Sequence, residues 1–344
     1  MNVPWKPGLA LESFVLDGAE RDVARAILEF AGACAEISAE LRRGPLTDMT
    51  SDKAMSRGPE GDAQKAIDLH ADALVTAALR RAGVRALVSE EQLDPVVLNE
   101  FGRLGACVDP LDGSSNVGVD GPMASIFSLI DIGGDPTAAS FLKLGSAQIA
   151  AAFAIYGAYT EFVFTIGDDV HCATLDPASD LFRMSRCSLR TPAGRSEFAI
   201  NASNARHWPA PVVGYVADCL AGKDGPRGKD FNMRWIAAMA ADAYRILMRG
   251  GVYLYPGDER EGYADGRLHV LYEANPIALI MERAGGAAID GSGRILEVAP
   301  KSIHQRTPLI FGAADKVDQV AAYFREDGFT AARSPLFNRR GLLR

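Results

Sequence analysis

The spacing of apolar side chains changes period several times along the chain, and each change predicts an element. Residues 22–43 (DVARAILEFAGACAEISAELRR) have helical composition and stop at Gly44-Pro45, a pair that ends a helix. Residues 44–61 are rich in Gly, Pro, Ser, Thr and Asp and nearly empty of apolar side chains, which predicts a mobile loop. Asp62 is placed to cap a second helix that runs to Arg81 and ends at Gly83. Short apolar runs at 86–88 and 106–108 each break off into acidic residues. The stretches 124–132, 150–156 and 161–166 are β-branched and aromatic, and so predict strands. Residues 175–195 are polar and contain Pro, so the chain is expected to divide there into domains of residues 1–190 and 191–344. Beyond it, 233–249 predicts a long helix ended by Gly250-Gly251, and 252–255 and 268–272 predict strands. Asn275-Pro276 then opens a helix that closes at Gly285-Gly286. Strands and helices mixed in this way imply an α/β or α+β layered fold.

Composition narrows the function. Of 344 residues, 48% are hydrophobic and 23% charged, which excludes disorder and low-complexity material. The net charge of -8 argues against a nucleic-acid partner, because phosphate backbones draw basic surfaces. No apolar stretch approaches the roughly 20 residues of a membrane span, and the first residues lack the basic and apolar regions of a signal peptide. The five cysteines are odd in number and form no CxxC pair, as expected for buried thiols in a reducing cytoplasm.

Acidic residues carry the candidate chemistry. Three predicted strands deliver carboxylates at their ends: Val88-Ser89-Glu90-Glu91, Val108-Asp109-Pro110-Leu111-Asp112-Gly113 and Leu271-Tyr272-Glu273. Glu90-Glu91 alone is an ordinary solvated loop pair, Asp109 to Asn116 alone has a plain turn as its lesser reading, and Glu273 alone carries almost no information. Together they repel one another unless a cation neutralises them, and oxygen ligands in such number suit Mg²⁺ or Mn²⁺. Pro110 fixes the backbone between two aspartates, and Gly113-Ser114-Ser115-Asn116 supplies small residues whose N–H groups can surround a phosphate. A metal beside a phosphate pocket points to phosphoryl transfer or hydrolysis.

The run from Asp109 to Asn116 resembles the metal motif of the magnesium-dependent, lithium-sensitive phosphatase superfamily. Further stretches are similar to landmarks of class I fructose-1,6-bisphosphatase: GRLHVLYEANPIA from Gly266, RWIAAMAADAYR from Arg234, GGVYLYP from Gly250 and IHQR from Ile303. The likeness runs in order from about residue 20 to the chain end, including the basic tail after Ser334. It implies a layered sandwich of the sugar-phosphatase type, with alternating helix and sheet layers. The first domain would carry the dynamic loop and most metal ligands, and the second would bind the sugar phosphate. The implied reaction is hydrolysis of the 1-phosphate of fructose 1,6-bisphosphate by metal-activated water, with two or more Mg²⁺ or Mn²⁺ per subunit, in a cytoplasmic homotetramer. Position by position, Glu90, Glu91, Asp109, Asp112, Glu273 and the Leu111 carbonyl match the metal ligands. Asp62, Asp68 and Glu91 match the groups that activate water. Asp112 and the Gly113, Ser114 and Ser115 amides would meet the 1-phosphate. Asn201, Tyr255 and Arg234 of a neighbouring subunit would hold the 6-phosphate, and Arg267 would reach the sugar and its phosphate.

Departures from the family pattern bear on specificity. Arg267 stands where Lys is common and His269 where many members have Arg. Asn204 and Trp235 replace tyrosines of the 6-phosphate pocket, which alters its shape and leaves a seven-carbon sugar bisphosphate as a second candidate substrate. Animal members respond to AMP through a Lys-Tyr pair before the metal motif and an Arg after it. Arg103-Leu104 and Asp131 stand there in this chain, which predicts weak or absent AMP inhibition. The cysteine-bearing insertion of chloroplast members is absent, so thiol control is not expected.

Overall fold

In the computed structural model, which describes residues 6–48, 54–58 and 63–325, the chain builds five alternating layers around two β-sheets. Helices α1 (Leu11–Gly18) and α2 (Arg21–Leu41) come first, followed by a ribbon of β1 (Ala54–Arg57) and β2 (Ala63–Lys65), then α3 (Ala66–Ala82). The large sheet is made by β3 (Ala86–Ser89), β4 (Val96–Val97), β5 (Leu104–Asp112), β6 (Met123–Asp131), β7 (Gln148–Tyr156), β8 (Thr160–Ile166), β9 (Asp169–Asp176) and β10 (Leu181–Arg186), with the short helix α4 (Ala138–Phe141) between β6 and β7. Its order is β10-β9-β8-β7-β6-β5-β3-β4, a meander of antiparallel neighbours broken by one parallel pair, β3 with β5.

The second half contributes β11 (Glu197–Ile200), α5 (Ala210–Leu220), β12 (Asn232–Met233), α6 (Met239–Arg249) and β13 (Val252–Tyr255). It continues with β14 (Leu268–His269), α7 (Asn275–Arg283), β15 (Gly286–Ile289), β16 (Arg306–Thr307), β17 (Leu309–Ala313) and α8 (Ala314–Arg325). The small sheet runs β12-β11-β13-β17-β15.

Both faces of both sheets are covered, so the strands read as apolar runs rather than alternating ones. Leu104, Ala106, Phe127 and Phe162 face Ile27, Phe30 and Ile67 of the first helical layer. Ile126, Phe153 and Val163 on the opposite face meet Ile246 of α6, Ile277 and Ile280 of α7, and Tyr253 and Phe311 of the small sheet. The far side of that sheet packs Leu254 and Ile310 on Tyr215 of α5 and Val320 of α8. The residue spacing therefore folds into a helix–sheet–helix–sheet–helix sandwich, as the sequence implies.

Four boundaries differ from the sequence reading. The helix after the loop starts at Ala66, because β2 extends to Lys65 and the Lys65 N–H is met by Asp68 Oδ2 at 2.8 Å; Asp62 is not its cap and lies outside the described residues. Eight of the 21 residues of the polar 175–195 stretch are sheet, the end of β9 and the whole of β10, which pair with each other. The helix predicted from 233 begins at Met239, after an extended segment in which Ala237 has φ of +66°. The predicted strand 268–272 stops at His269, and Val270–Ala274 forms a π-helical turn that runs directly into α7. Within the predicted loop, Ala54–Arg57 forms the ribbon with β2; 49–53 and 59–61 lie outside the described residues.

All five cysteines are free, four of them buried. Among the described residues no helix is long and apolar enough to cross a membrane.

Candidate active site

Parallel pairing explains why two acidic motifs meet. β3 and β5 run side by side in the same direction, so Ser89 pairs with Val108 and both strands release their next residues at the same edge. The Glu90 N–H donates to the Val108 carbonyl at 3.1 Å. The Glu90-Glu91 turn is tied to α3 by Ser89 Oγ and Gln92 Nε2, each 2.6 Å from an oxygen of Asp72.

A bulge decides where the two aspartates of the second motif point. On a regular strand, residues three apart face opposite sides of the sheet. Here Asp109 pairs with Ile126 and Asp112 with Ala124, so one extra residue is inserted on β5 and the two side chains turn to one site. The turn is closed by the Leu111 N–H, which donates to Asp109 Oδ1 at 3.0 Å. Asp112 Oδ2 accepts the Ala240 N–H at 2.8 Å, in the first turn of α6, where the helix dipole favours a negative charge.

Glu273 reaches the same place from the π-turn. Its Oε2 accepts the His269 N–H at 2.6 Å and lies 2.8 Å from His269 Nδ1. The five carboxylates Glu90, Glu91, Asp109, Asp112 and Glu273 thus line one cavity of about 160 Å³, together with Leu111, Asp68, Gly113 and Ser114.

Their crowding is unfavourable without a cation. Burial, reinforced by Glu273, pushes Glu90 up to about 8. Burial also pushes Asp112 up to about 7, against the helix N–H donors that favour its charge. Asp109 is raised well above the usual carboxylate range by burial and by Glu90. Two groups of ligand atoms lie within 4.8 Å of one another, Asp109 with Asp112 and Glu273, and Glu90 with His269 and Glu273. Predominantly oxygen donors with mutually raised pKa values fit a hard divalent cation.

Gly113 links this cluster to the segment expected to hold a phosphate. Its φ of +78° is a left-handed conformation, and an added Cβ would stand 2.8 Å from Ala238 Cβ. The chain then enters a 3-10 turn, Ser114–Val119. Gly113→Ala is expected to cost about 1 to 3 kcal/mol through backbone strain and to displace these amides, which a melting curve and a KM measurement on one preparation would show.

Asp68 is buried and raised by burial, with Oδ2 on the Lys65 N–H and Ser114 beside it, both favouring the charged form. Two residues that sequence reasoning missed join it. Lys65 Nζ donates to the Ser114 carbonyl at 2.8 Å, and Gln64 Nε2 donates to a Glu91 carboxylate oxygen while Ser56 Oγ holds its Oε1 at 2.8 Å. Neither was legible, because a Lys has no acceptor with which to cap a helix and Gln64 carried no signal.

A second, smaller cavity gathers Asn201, Asn204, Tyr255 and Arg267, with Asp258. Parallel strands β11 and β13 bring Asn201 and Tyr255 to the same edge. Trp235 stacks parallel to Tyr255 with ring centres 6.0 Å apart, so it braces this wall without lining it. The Arg267 guanidinium lies 4.3 Å over the Tyr263 ring and donates to its hydroxyl at 3.0 Å. Arg260 binds Asp258 and reaches Asn204 Oδ1 at 3.3 Å.

Three predicted contacts stand apart. Arg234 is exposed and lines neither cavity, although its N–H donates to the Phe198 carbonyl at 2.8 Å. Ser115 is exposed at the rim. His269 sits among the clustered carboxylates that could hold a metal instead of in the cavity that holds Asn201 and Tyr255. The reason is the π-turn, which folds Glu273 back beneath His269.

The chain matches the family models of the fructose-1-6-bisphosphatase N-terminal domain over residues 14–186 and C-terminal domain over residues 191–325. It is 47% identical to the class 1 fructose-1,6-bisphosphatase of Methylorubrum extorquens over 94% of this chain and 93% of that one. Identity to the class 1 enzyme of Rhodopseudomonas palustris is 45% over 97% of both. The crystal structure of Leishmania major fructose-1,6-bisphosphatase in holo form superposes with a TM-score of 0.87 at 28% identity, over 93% of this chain and all of that one. Carrying both domains at these identities, the chain belongs to the class 1 fructose-1,6-bisphosphatase family.

Proposed function

We propose that this protein hydrolyses the 1-phosphate of fructose 1,6-bisphosphate, giving fructose 6-phosphate and phosphate. The observation that carries the reading is the convergence of five carboxylates from β3, β5 and the π-turn on a cavity rimmed by Gly113 and Ser114, in a chain of this family. Glu90, Glu91, Asp109, Asp112, Glu273 and the Leu111 carbonyl would hold two or more Mg²⁺ or Mn²⁺. Bound there, the cations would neutralise the phosphate and lower the pKa of a water.

The chain's own groups supply the rest. Asp68, with one oxygen fixed on the Lys65 N–H, and Glu91, held by Gln64, accept the proton of the attacking water. Asp62 would assist from the loop. Amides of Gly113, Ser114 and Ser115 orient the 1-phosphate and stabilise its developing charge. Asn201, Asn204 and Tyr255 receive the 6-phosphate, with Arg267 beside them and Trp235 setting the wall. Exposed Arg234 would complete that pocket from a neighbouring subunit of a homotetramer. In this scheme residues 1–190 form the metal-bearing domain and 191–344 the sugar-phosphate domain, working in the cytoplasm.

Phosphate release from fructose 1,6-bisphosphate with Mg²⁺, compared with a seven-carbon bisphosphate, an inositol phosphate and a nucleotide bisphosphate, tests the assignment. Preferential turnover of either of the last two would overturn it. AMP inhibition is expected to be weak, because Arg103 is already paired with Glu20, Asp22 and Asp131. Activity titrated against AMP checks this, and strong inhibition at physiological concentrations would contradict it.

A further inference from the structure

Resting on the metal-dependent reading above, we propose that His269 is a nitrogen ligand of the cation shared by Glu90 and Glu273, so that this site selects Mn²⁺ or another imidazole-tolerant ion over Mg²⁺. The departure at residue 269 then changes metal preference, and its contribution to substrate binding is indirect.

The geometry is that of a coordination site. In an octahedron with ligands at about 2.05 Å, neighbouring donors stand about 2.9 Å apart and opposite ones about 4.1 Å. His269 Nδ1 lies 2.8 Å from Glu273 Oε2 and 3.8 Å from Glu90 Oε1, spacings that match ligands of one ion. The ring is buried and oriented by its surroundings. It packs against Tyr272 with centres 4.7 Å apart and against His304 at 6.4 Å. The backbone N–H of the same residue holds Glu273 Oε2 at 2.6 Å, so ring and carboxylate move as a unit.

Donor chemistry sets the selectivity. Asp109, Asp112 and Glu273 form an all-oxygen group, whereas Glu90, His269 and Glu273 form a mixed one. Mg²⁺ takes oxygen donors and keeps its waters, whereas first-row transition ions bind a site containing nitrogen with affinity that rises from Mn²⁺ through Co²⁺. A chain with one site of each kind would bind different ions with different preferences at two positions that share Glu273.

Electron spin echo spectroscopy of Mn²⁺ bound to the intact protein gives a direct readout. Nitrogen modulation is expected in the wild type and is expected to vanish in His269→Asn, which keeps a donor for Glu273. His269→Leu serves as a second variant, and circular dichroism checks that both fold. In parallel, displacement of Mn²⁺ by Mg²⁺, followed by the spectrum of free Mn²⁺, should show the preference for Mn²⁺ falling by about tenfold in both variants. Mn²⁺ that binds the wild type without nitrogen modulation overturns the inference and leaves the metal-site reading standing. Modulation that survives in His269→Asn assigns the nitrogen elsewhere and also overturns it. Failure of Mn²⁺ to bind at all overturns both readings.

Discussion

Asp112→Asn is expected to lower kcat by about a thousandfold, comparable to losing a principal electrostatic stabiliser of a transition state. The substitution keeps an oxygen for the Ala240 N–H at the start of α6, so helix and bulge survive while the charge disappears. Asp112 joins the proposed metal group to the proposed phosphate loop, being followed directly by Gly113. Its loss should therefore reduce both metal affinity and turnover. Phosphate release at saturating fructose 1,6-bisphosphate and Mg²⁺ gives the result, with far-UV circular dichroism as the check on folding. A variant within about tenfold of wild type would remove Asp112 from the proposed machinery.

The second large effect is on stability. Glu90, Asp109 and Asp112 hold protons in the folded, metal-free chain that the unfolded chain has already released, since unperturbed carboxylates titrate near about 4. The folded state binds more protons, so stability must fall as pH rises toward about 8. The useful window is about pH 6.5 to 8.5, set by the unperturbed pKa values of imidazoles and thiols. Below it, His171, held down to about 4 by burial, contributes the opposite slope. Above it, buried thiols such as Cys34, pushed up to about 12, begin to contribute. The lowered carboxylates, among them Asp258 at about 2, are ionised throughout and add nothing.

Divalent cations reverse the trend because they bind the deprotonated carboxylates. Melting temperatures across that window should fall in chelator and rise on adding Mg²⁺, with the largest gain at the alkaline end. A chelated protein whose stability is flat with pH and indifferent to Mg²⁺ would show that these carboxylates are not a coupled cation site.

What was legible in the chain follows from local chemistry. Gly44-Pro45 and Gly83 end helices because of their own backbone preferences, and α2 and the C-terminus of α3 lie where those residues put them. The unbroken apolar strands announced a sheet covered on both faces, and the acidic segments announced carboxylates that could gather around a cation. Motif likeness then named the family. Positions after short, ambiguous segments were less legible. Asn275-Pro276 looks like a helix start, yet the helical path opens five residues earlier as a π-turn, because packing of Tyr272 and Leu271 against Val88 and Ile130 outweighs the local start signal.

Sequence by itself determined the layer type, the acidic residue types available to the site and the family, since each depends on residue identity and spacing. Only the tertiary structure decided which groups share a site. Parallel pairing of β3 with β5 sets Glu90 beside Asp109, a bulge turns Asp112 to the same side, and the π-turn folds Glu273 under His269. Those juxtapositions come from strand order and backbone irregularity between segments far apart in the chain. For that reason His269 reads as a phosphate partner in the sequence and stands among the clustered carboxylates in the fold.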